Sequence, residues 1–189
     1  MKNLLIFFSV LLFFTVMASE DAVRKTVMFY RTAAADMDVK TALKVCAPEY
    51  VEINLASRID YKKAEEIAEL MQKLFKSNDV EEILMIQKQL VGQTATEQEL
   101  VRIRAVKGTE HEKTLIKLVH NQLELTRQVG KSLLKDIKFP EIRIENDKAL
   151  VVQELIHPVP KKTLRTVYDL VKRDGMWWIV KIVEVGEVK

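Results

Sequence analysis

A single cysteine, Cys46, stands in the whole of this 189-residue chain, so no internal disulfide can form and the fold must hold together by core packing. Cys46 sits on a short apolar stretch, which reads as a buried, inert thiol rather than a reactive one. Histidine is nearly as scarce. His111 and His120 are nine residues apart on one predicted helix, hence on opposite faces, and His157 precedes a proline. The run H-E-K-T-L is not the zinc motif H-E-x-x-H, so neither a metal nor a cofactor is implied. Charge of one sign is also lacking: 30 Lys and Arg are interleaved with 27 Asp and Glu, and no basic stripe exists to meet nucleic acid. There is no nucleophile triad, phosphate loop, repeat or low-complexity segment. With 189 residues, one domain of ordinary size with a real core is expected.

The one long apolar run is at the N-terminus. Lys2, the stretch Leu4 to Met17 and the small residues Ala18-Ser19 before Glu20-Asp21 have the three regions of a secretory signal peptide. Val16 and Ala18 suit the −3 and −1 positions, so cleavage after Ala18 is expected, leaving residues 19–189 as a single domain. A retained membrane anchor is the alternative, although the run is short for a span. After removal no transmembrane segment is expected, and the protein is placed in a secreted or periplasmic location.

From Asp21 the pattern turns amphipathic. Val23, Val27, Tyr30 and Ala34 recur at helical spacing over a first helix from about Asp21 to Ala35. Asp36-Met37-Asp38 breaks it, and Asp38 caps a short second helix, Val39 to Cys46, ended by Pro48. Val51, Ile53 and Leu55 alternate as a strand; Asp60 then caps a third helix, Tyr61 to Phe75, with Ala64, Ile67, Ala68, Met71 and Phe75 along one side.

The last fifth of the chain reads as β-structure. Ile142-Arg143-Ile144, Leu150 to Ile156, Leu164 to Val171 and Trp177 to Val185 give four antiparallel strands in a row. Asn146-Asp147 and Asp174-Gly175 make the turns, and Pro158 and Pro160 place a loop after His157. Strict alternation puts Trp178, Val180 and Ile182 on one face of the last strand and Trp177, Ile179, Val183 and Val185 on the other. The middle, about 78–136, is helical. Val80, Ile83, Leu84, Ile86 and Leu90 stripe one helix before Gly92, and Thr96…Glu99 and Thr109…Glu112 each fit a capping box. Leu115, Leu118, Gln122, Leu125, Val129 and Leu133 stripe the longest helix, which must bury them, and Gly130 inside it marks a candidate kink.

The run D-A-V-R-K-T-V-M-F-Y-R-T-A-A-A-D-M-D-V-K-T-A-L-K-V-C-A-P-E-Y-V-E-I resembles the opening of the nuclear transport factor 2-like superfamily. R-I-D-Y-K-K-A resembles the entry to that family's third helix, and Y-D-L-V-K-R-D-G-M-W-W-I-V-K-I its last hairpin. The resemblance covers Asp21 to about Phe75 and Ile137 to Val185; the helical middle is a departure from it. It implies an α+β fold in which a strongly curved antiparallel sheet wraps N-terminal helices as a cone, with an apolar cavity at the mouth and the insertion lying across or beside it.

Within that superfamily, ketosteroid isomerases use a tyrosine and an aspartic acid as oxyanion donors and an aspartate as base. Those positions fall on Tyr30, Asp169 and Asn54 of this chain, and asparagine has no useful basicity for abstracting a proton from carbon. Glu52, two residues away on the same strand face, is the substitute base if the register differs. The pocket-lining candidates are Tyr30, Asn54, Tyr168, Asp169 and Trp177. The leading expectation is an extracytoplasmic small-ligand-binding or interaction domain that is not catalytic. An isomerase or cyclase acting on a hydrophobic carbonyl compound is the second, and a structural dimerisation or partner-binding module the third. The implied partners are a small apolar ligand and a second copy of the chain. Intact mass of protein recovered from its native compartment should correspond to a chain beginning at Ser19; a mass that retains Met1 to Ala18 overturns the leader assignment.

Overall fold

The computed structural model describes the backbone of residues 2–54, 57–158 and 161–188, and the side chains of residues 19–54, 57–156 and 162–187. Helix α1 (Lys2–Ala35) is followed by α2 (Val39–Ala42), strands β1 (Cys46–Ile53) and β2 (Arg58–Asp60), and helix α3 (Tyr61–Lys76). Then come α4 (Val80–Leu90), α5 (Glu97–Arg104) and α6 (Glu110–Leu133), and strands β3 (Ile137–Glu145), β4 (Lys148–Pro158), β5 (Lys161–Arg173) and β6 (Met176–Val188). The strands form one open sheet in the order β2-β1-β6-β5-β4-β3. The α+β class and the four-strand C-terminal meander are as the sequence implies. One pairing is parallel, β1 with β6, two strands far apart in the chain and not joined by a hairpin. Among the described residues no helix is long and apolar enough to cross a membrane.

Local chemistry accounts for most boundaries. Met37 takes a left-handed φ of 58° after α1, and Asp38 Oδ1 accepts from the Thr41 amide at 3.0 Å to cap α2. Asp60 Oδ1 caps α3 through the Lys63 amide at 2.9 Å. Thr96 and Glu99 form the full reciprocal box at α5, whereas the Glu112 carboxylate accepts from the Gly108 amide, one residue before the expected partner. Asp174 and Gly175, at φ 51° and 80°, make the tight β5–β6 turn.

Several sequence expectations are corrected. Cys46 opens β1 instead of closing a helix, and Pro48 lies inside that strand, where the β1–β6 register slips between Cys46 and Val51. A proline is tolerated there because the ladder already lacks its bond. The β4–β5 ladder runs on past His157 to a Pro158–Lys161 pair, and Val159 and Pro160 lie outside the described residues. In β6, Leu170 faces Ile179 while Asp169 faces Lys181, which leaves Val180 as an extra, bulged residue. Alternation resumes with opposite parity, so Trp177, Ile179 and Ile182 are all buried in one core, and not on two faces as strict alternation has it.

That first core lies between α1 and the concave side of the sheet. Val23, Val27, Tyr30 and Ala33 of α1 meet Ala149, Val151, Tyr168 and Leu170 there. The middle helices build a second core on the far side of α3: Leu70 and Leu74 pack with Ile83 and Ile86, flanked by Ile116, Val119 and Leu123. The buried face of α3 is therefore rotated away from Phe75, which is 36% exposed. The insertion packs one apolar side against α3.

Helix α6 also inverts the expected stripe. Its packed side is Ile116, Val119 and Leu123, while Leu118, Leu125 and Val129 are 58%, 61% and 45% exposed. Both rows have helical spacing, and only contact with α3, α4 and α1 selects between them. Gly130 marks a helix crossing, not a kink: a Cβ there would stand 3.1 Å from the Ala35 carbonyl oxygen. Asp36, just past α1, accepts from Arg127 Nε at 2.8 Å and lies 2.6 Å from Lys131 Nζ, clamping the same crossing. A Gly130→Val substitution should force the two helices apart and cost about 2 kcal/mol of unfolding free energy. Urea denaturation with an unchanged midpoint would show that the crossing tolerates the added methyls.

Candidate functional site

The concave side of the sheet carries a polar cluster where the sequence implies a greasy hollow. The last turns of α1 aim Tyr30 at β1, whose Tyr50 and Glu52, two residues apart, share the face toward α1. The Tyr30 and Tyr50 hydroxyls are 3.1 Å apart, and both donate to Glu52 Oε2, at 3.1 and 2.6 Å. Tyr168 of β5 meets the edge of the Tyr30 ring, with centroids 6.4 Å apart. These rings fill the cone. Burial pushes the Tyr30 phenol well above its ordinary range, and the Glu52 charge adds to the shift; burial likewise raises Tyr50. Tyr168 is pushed up to about 12 by burial.

Beyond Tyr168 a cavity of about 100 Å3 remains, walled by Arg31 of α1, Gln153 and Leu155 of β4, Leu164 and Arg165 of β5, and Glu184 of β6. Gln153 is fully buried and its Oε1 accepts from the Tyr168 hydroxyl at 2.8 Å, leaving its Nε2 with no partner. Arg165 donates to Glu154 Oε1 at 2.6 Å, yet its Nε is buried and unpartnered, as is the Nε of Arg31. Glu184, an exposed residue, is raised above the ordinary carboxyl range by partial desolvation of its carboxyl and then by Glu52, with Arg31 opposing. Larger grooves of about 420 Å3 run along α2 and α3 and across the outer face of the sheet. The smaller cavity is distinguished by its wall. Of the four buried side-chain nitrogens without a partner among the described residues, three belong to it. Each costs roughly 1–3 kcal/mol if left unmet.

The five sequence candidates do not converge. Tyr30 and Tyr168 stand together behind the cavity. Asn54 Oδ1 accepts from the Ser57 amide at 2.8 Å and holds the β1–β2 connection. Asp169 is on the opposite face of β5 from the buried Tyr168 and lines an outer groove with Arg143, Lys148 and Val180. Trp177 is buried in the first core, 6% exposed, with Lys172 Nζ 5.9 Å from its ring, and does not line the cavity. The oxyanion pair of an isomerase is thus split across the sheet, because adjacent strand residues point to opposite faces.

Arg31, Gln153, Arg165 and Glu184 went unremarked in the sequence. One signal was available: Ala149, Val151, Gln153 and Leu155 share the buried parity of β4, so Gln153 is a polar residue on an otherwise apolar face. Among the described residues no group of three His, Cys, Asp or Glu is placed to hold a metal ion.

The raised phenols make stability alkali-sensitive. A phenol that stays protonated in the fold but ionises at about pH 10 when unfolded contributes fully below that value. The contribution is lost as pH rises through the folded values, of which that of Tyr168 is about 12. Unfolding free energy should therefore fall from about pH 10 upward, while absorbance at 295 nm shows tyrosine ionisation lagging that of the denatured chain. Ionisation coincident with the denatured chain would mean the cluster is open to solvent.

No protein-family model matches the chain, and none of the curated proteins does. Solved structures similar to it include a nuclear transport factor 2-like (NTF2-like) protein of unknown function from Shewanella baltica, 8% identical, covering 92% of this chain and 97% of that one at a TM-score of 0.44. A protein of unknown function with a cystatin-like fold from Nostoc punctiforme is 8% identical over 87% and 88%, at a TM-score of 0.42. A de novo designed protein with a curved β-sheet is 10% identical over 87% and 99%, also at 0.42.

Proposed function

We propose that this chain is a small-ligand-binding domain that works outside the cytoplasm and performs no catalysis, with the ligand seated among Arg31, Gln153 and Arg165. The carrying observation is that Arg31, Gln153 and Arg165, each with one buried side-chain nitrogen unpartnered among the described residues, line the same cavity. The large majority of buried polar groups in folded proteins have a partner, in protein, water or ligand. The non-catalytic reading is supported by the separation of Tyr30, Asn54 and Asp169 described above. The extracytoplasmic reading is supported by the leader-like N-terminus. Native mass spectrometry of protein purified from its own compartment should show a bound small molecule that is released on denaturation and absent from the Gln153→Leu variant. A bare chain in both cases would overturn the reading.

A second reading, self-association, is favoured by the uncovered row on α6. The exposed Leu118, Leu125 and Val129, with Gln122 and the half-buried Leu115, follow the alternating three- and four-residue spacing of a coiled-coil seam, with one polar position of the kind that sets register. The matching surface for such a seam is the same helix of a second copy. Light scattering after size exclusion should give twice the chain mass for the wild type and the single-chain mass for Leu125→Glu. A monomeric wild type at about 100 μM, well above a typical specific affinity, removes the dimer.

A further inference from the structure

Resting on the reading that α6 mediates self-association, we propose that the second copy docks antiparallel and in one register. Leu115 of each chain then faces Leu125 of the other, and Lys117 faces Glu124, about a two-fold axis near Asn121.

The seam on α6 has two unlike flanks. On one side Ile116, Val119 and Leu123 are half-buried against α3 and α4. On the other side Asn121 and Gln128 are exposed and, one position further round the helix, so are Glu110, Lys117, Glu124 and Lys131. Residues seven apart fall on nearly one line along a helix, so these last four make a strip of alternating sign. A parallel pair would set each exposed strip against the partner flank that α3 and α4 already cover. An antiparallel pair sets the two exposed strips side by side. The helix ends agree with this: Glu110 and Glu112 stand in the first turn and Lys131 in the last, so reversal brings unlike charges and opposed helix dipoles together.

Two antiparallel registers give comparable apolar contact. One sets Leu115 against Leu125, with Leu118 beside Gln122. The other, shifted by one heptad, sets Leu118 against Val129, with Gln122 beside Leu125. Charge separates them. In the first, Lys117 meets Glu124 on each side of the axis, and Glu110 meets Lys131. In the second, Glu124 meets its own copy and Lys117 meets Lys131. The central pair carries more of the preference than the outer one, because Lys131 is tied to Asp36 at 2.6 Å and Glu110 to Lys113. Glu124 is held more loosely, 3.6 Å from Arg127. Leu118, Leu125 and Val129 make a small exposed patch, so the pair belongs at the weak end of specific interfaces.

Nitroxide labels are placed on the full chain at Asn121→Cys and, separately, at Gln128→Cys, in a Cys46→Ala background. Dipolar electron resonance then reads the separation between copies. In the proposed register the two Asn121 labels lie level along the axis. Gln128 lies opposite Thr114, 14 positions away, so its two labels should be offset by about 21 Å at ~1.5 Å per residue. Equal separations at the two sites, from a parallel pair or from the shifted register, overturn the proposal and leave self-association standing. Independently, Lys117→Glu and Glu124→Lys should each weaken the dimer by about tenfold in sedimentation equilibrium, and the double swap should restore it. A double variant as weak as the single ones overturns the pairing. Circular dichroism confirms that each variant folds; if the Cys46→Ala background does not, the charge swap, which needs no cysteine, decides. A monomeric wild type removes the proposal together with the self-association reading.

Discussion

A single extra residue in the central region of the sheet, Val180 in β6, constrains most of what this protein can be. Strand β6 pairs on one side with β5, where the ladder slips at that residue, and on the other with β1, where the surplus residues between Cys46 and Val51 belong to β1. A bulge adds local bend and twist to the strand that carries it. It also resets which side chains face inward, which is how Trp177 and Ile179 before the slip and Ile182 after it reach the same core. A second slip, where Arg165 faces Gly186 and Thr166 faces Glu184, bends β5–β6 again and brings Glu184 to the edge of the cavity. Without these irregularities the sheet would present Ile182 outward and its concave wall would not close on α1.

Inside that curve, room is taken by aromatic rings whose hydroxyls must be paired. Tyr30 and Tyr50 solve this through Glu52, and Tyr168 through Gln153. The cluster thereby couples α1, β1, β4 and β5 through polar contacts in a low-dielectric setting, where satisfied bonds are strong and unsatisfied ones expensive. The chain of pairings runs out at the far side of Gln153. Its Nε2 and the Nε of each neighbouring arginine are left without a partner among the described residues, while Arg165 still donates to Glu154.

The helical insertion has a different logic. It is anchored to α3 by a core of its own and to the end of α1 by Gly130 and the Asp36 clamp, so it thickens the helical layer without entering the concave space. Its long helix carries two apolar rows, and in the second of them Leu118, Leu125 and Val129 are exposed. The remaining row is the surface feature most out of keeping with an isolated monomer.

Capping residues and turns were legible because their effects are local. Asp38, Asp60 and Thr96 find their own amides a few residues on, and Asp174-Gly175 needs only the left-handed φ that its types allow. The order of helices and strands followed from the same short-range rules. The α6 face, the inward parity of β6 and the membership of the site were not legible, since each depends on what lies opposite. Leu118 and Val119 are equally apolar, and the second is covered only because α3 and α4 are there. Arg31 and Arg165 are ordinary charged residues 134 positions apart by sequence number until the curved sheet brings them to one cavity. The sequence by itself determined where elements start and stop, through hydrogen bonds that close within a few residues. Only the tertiary structure decided which faces are buried and which donors are left unpaired, because burial and pairing belong to the contact between elements and not to any one of them.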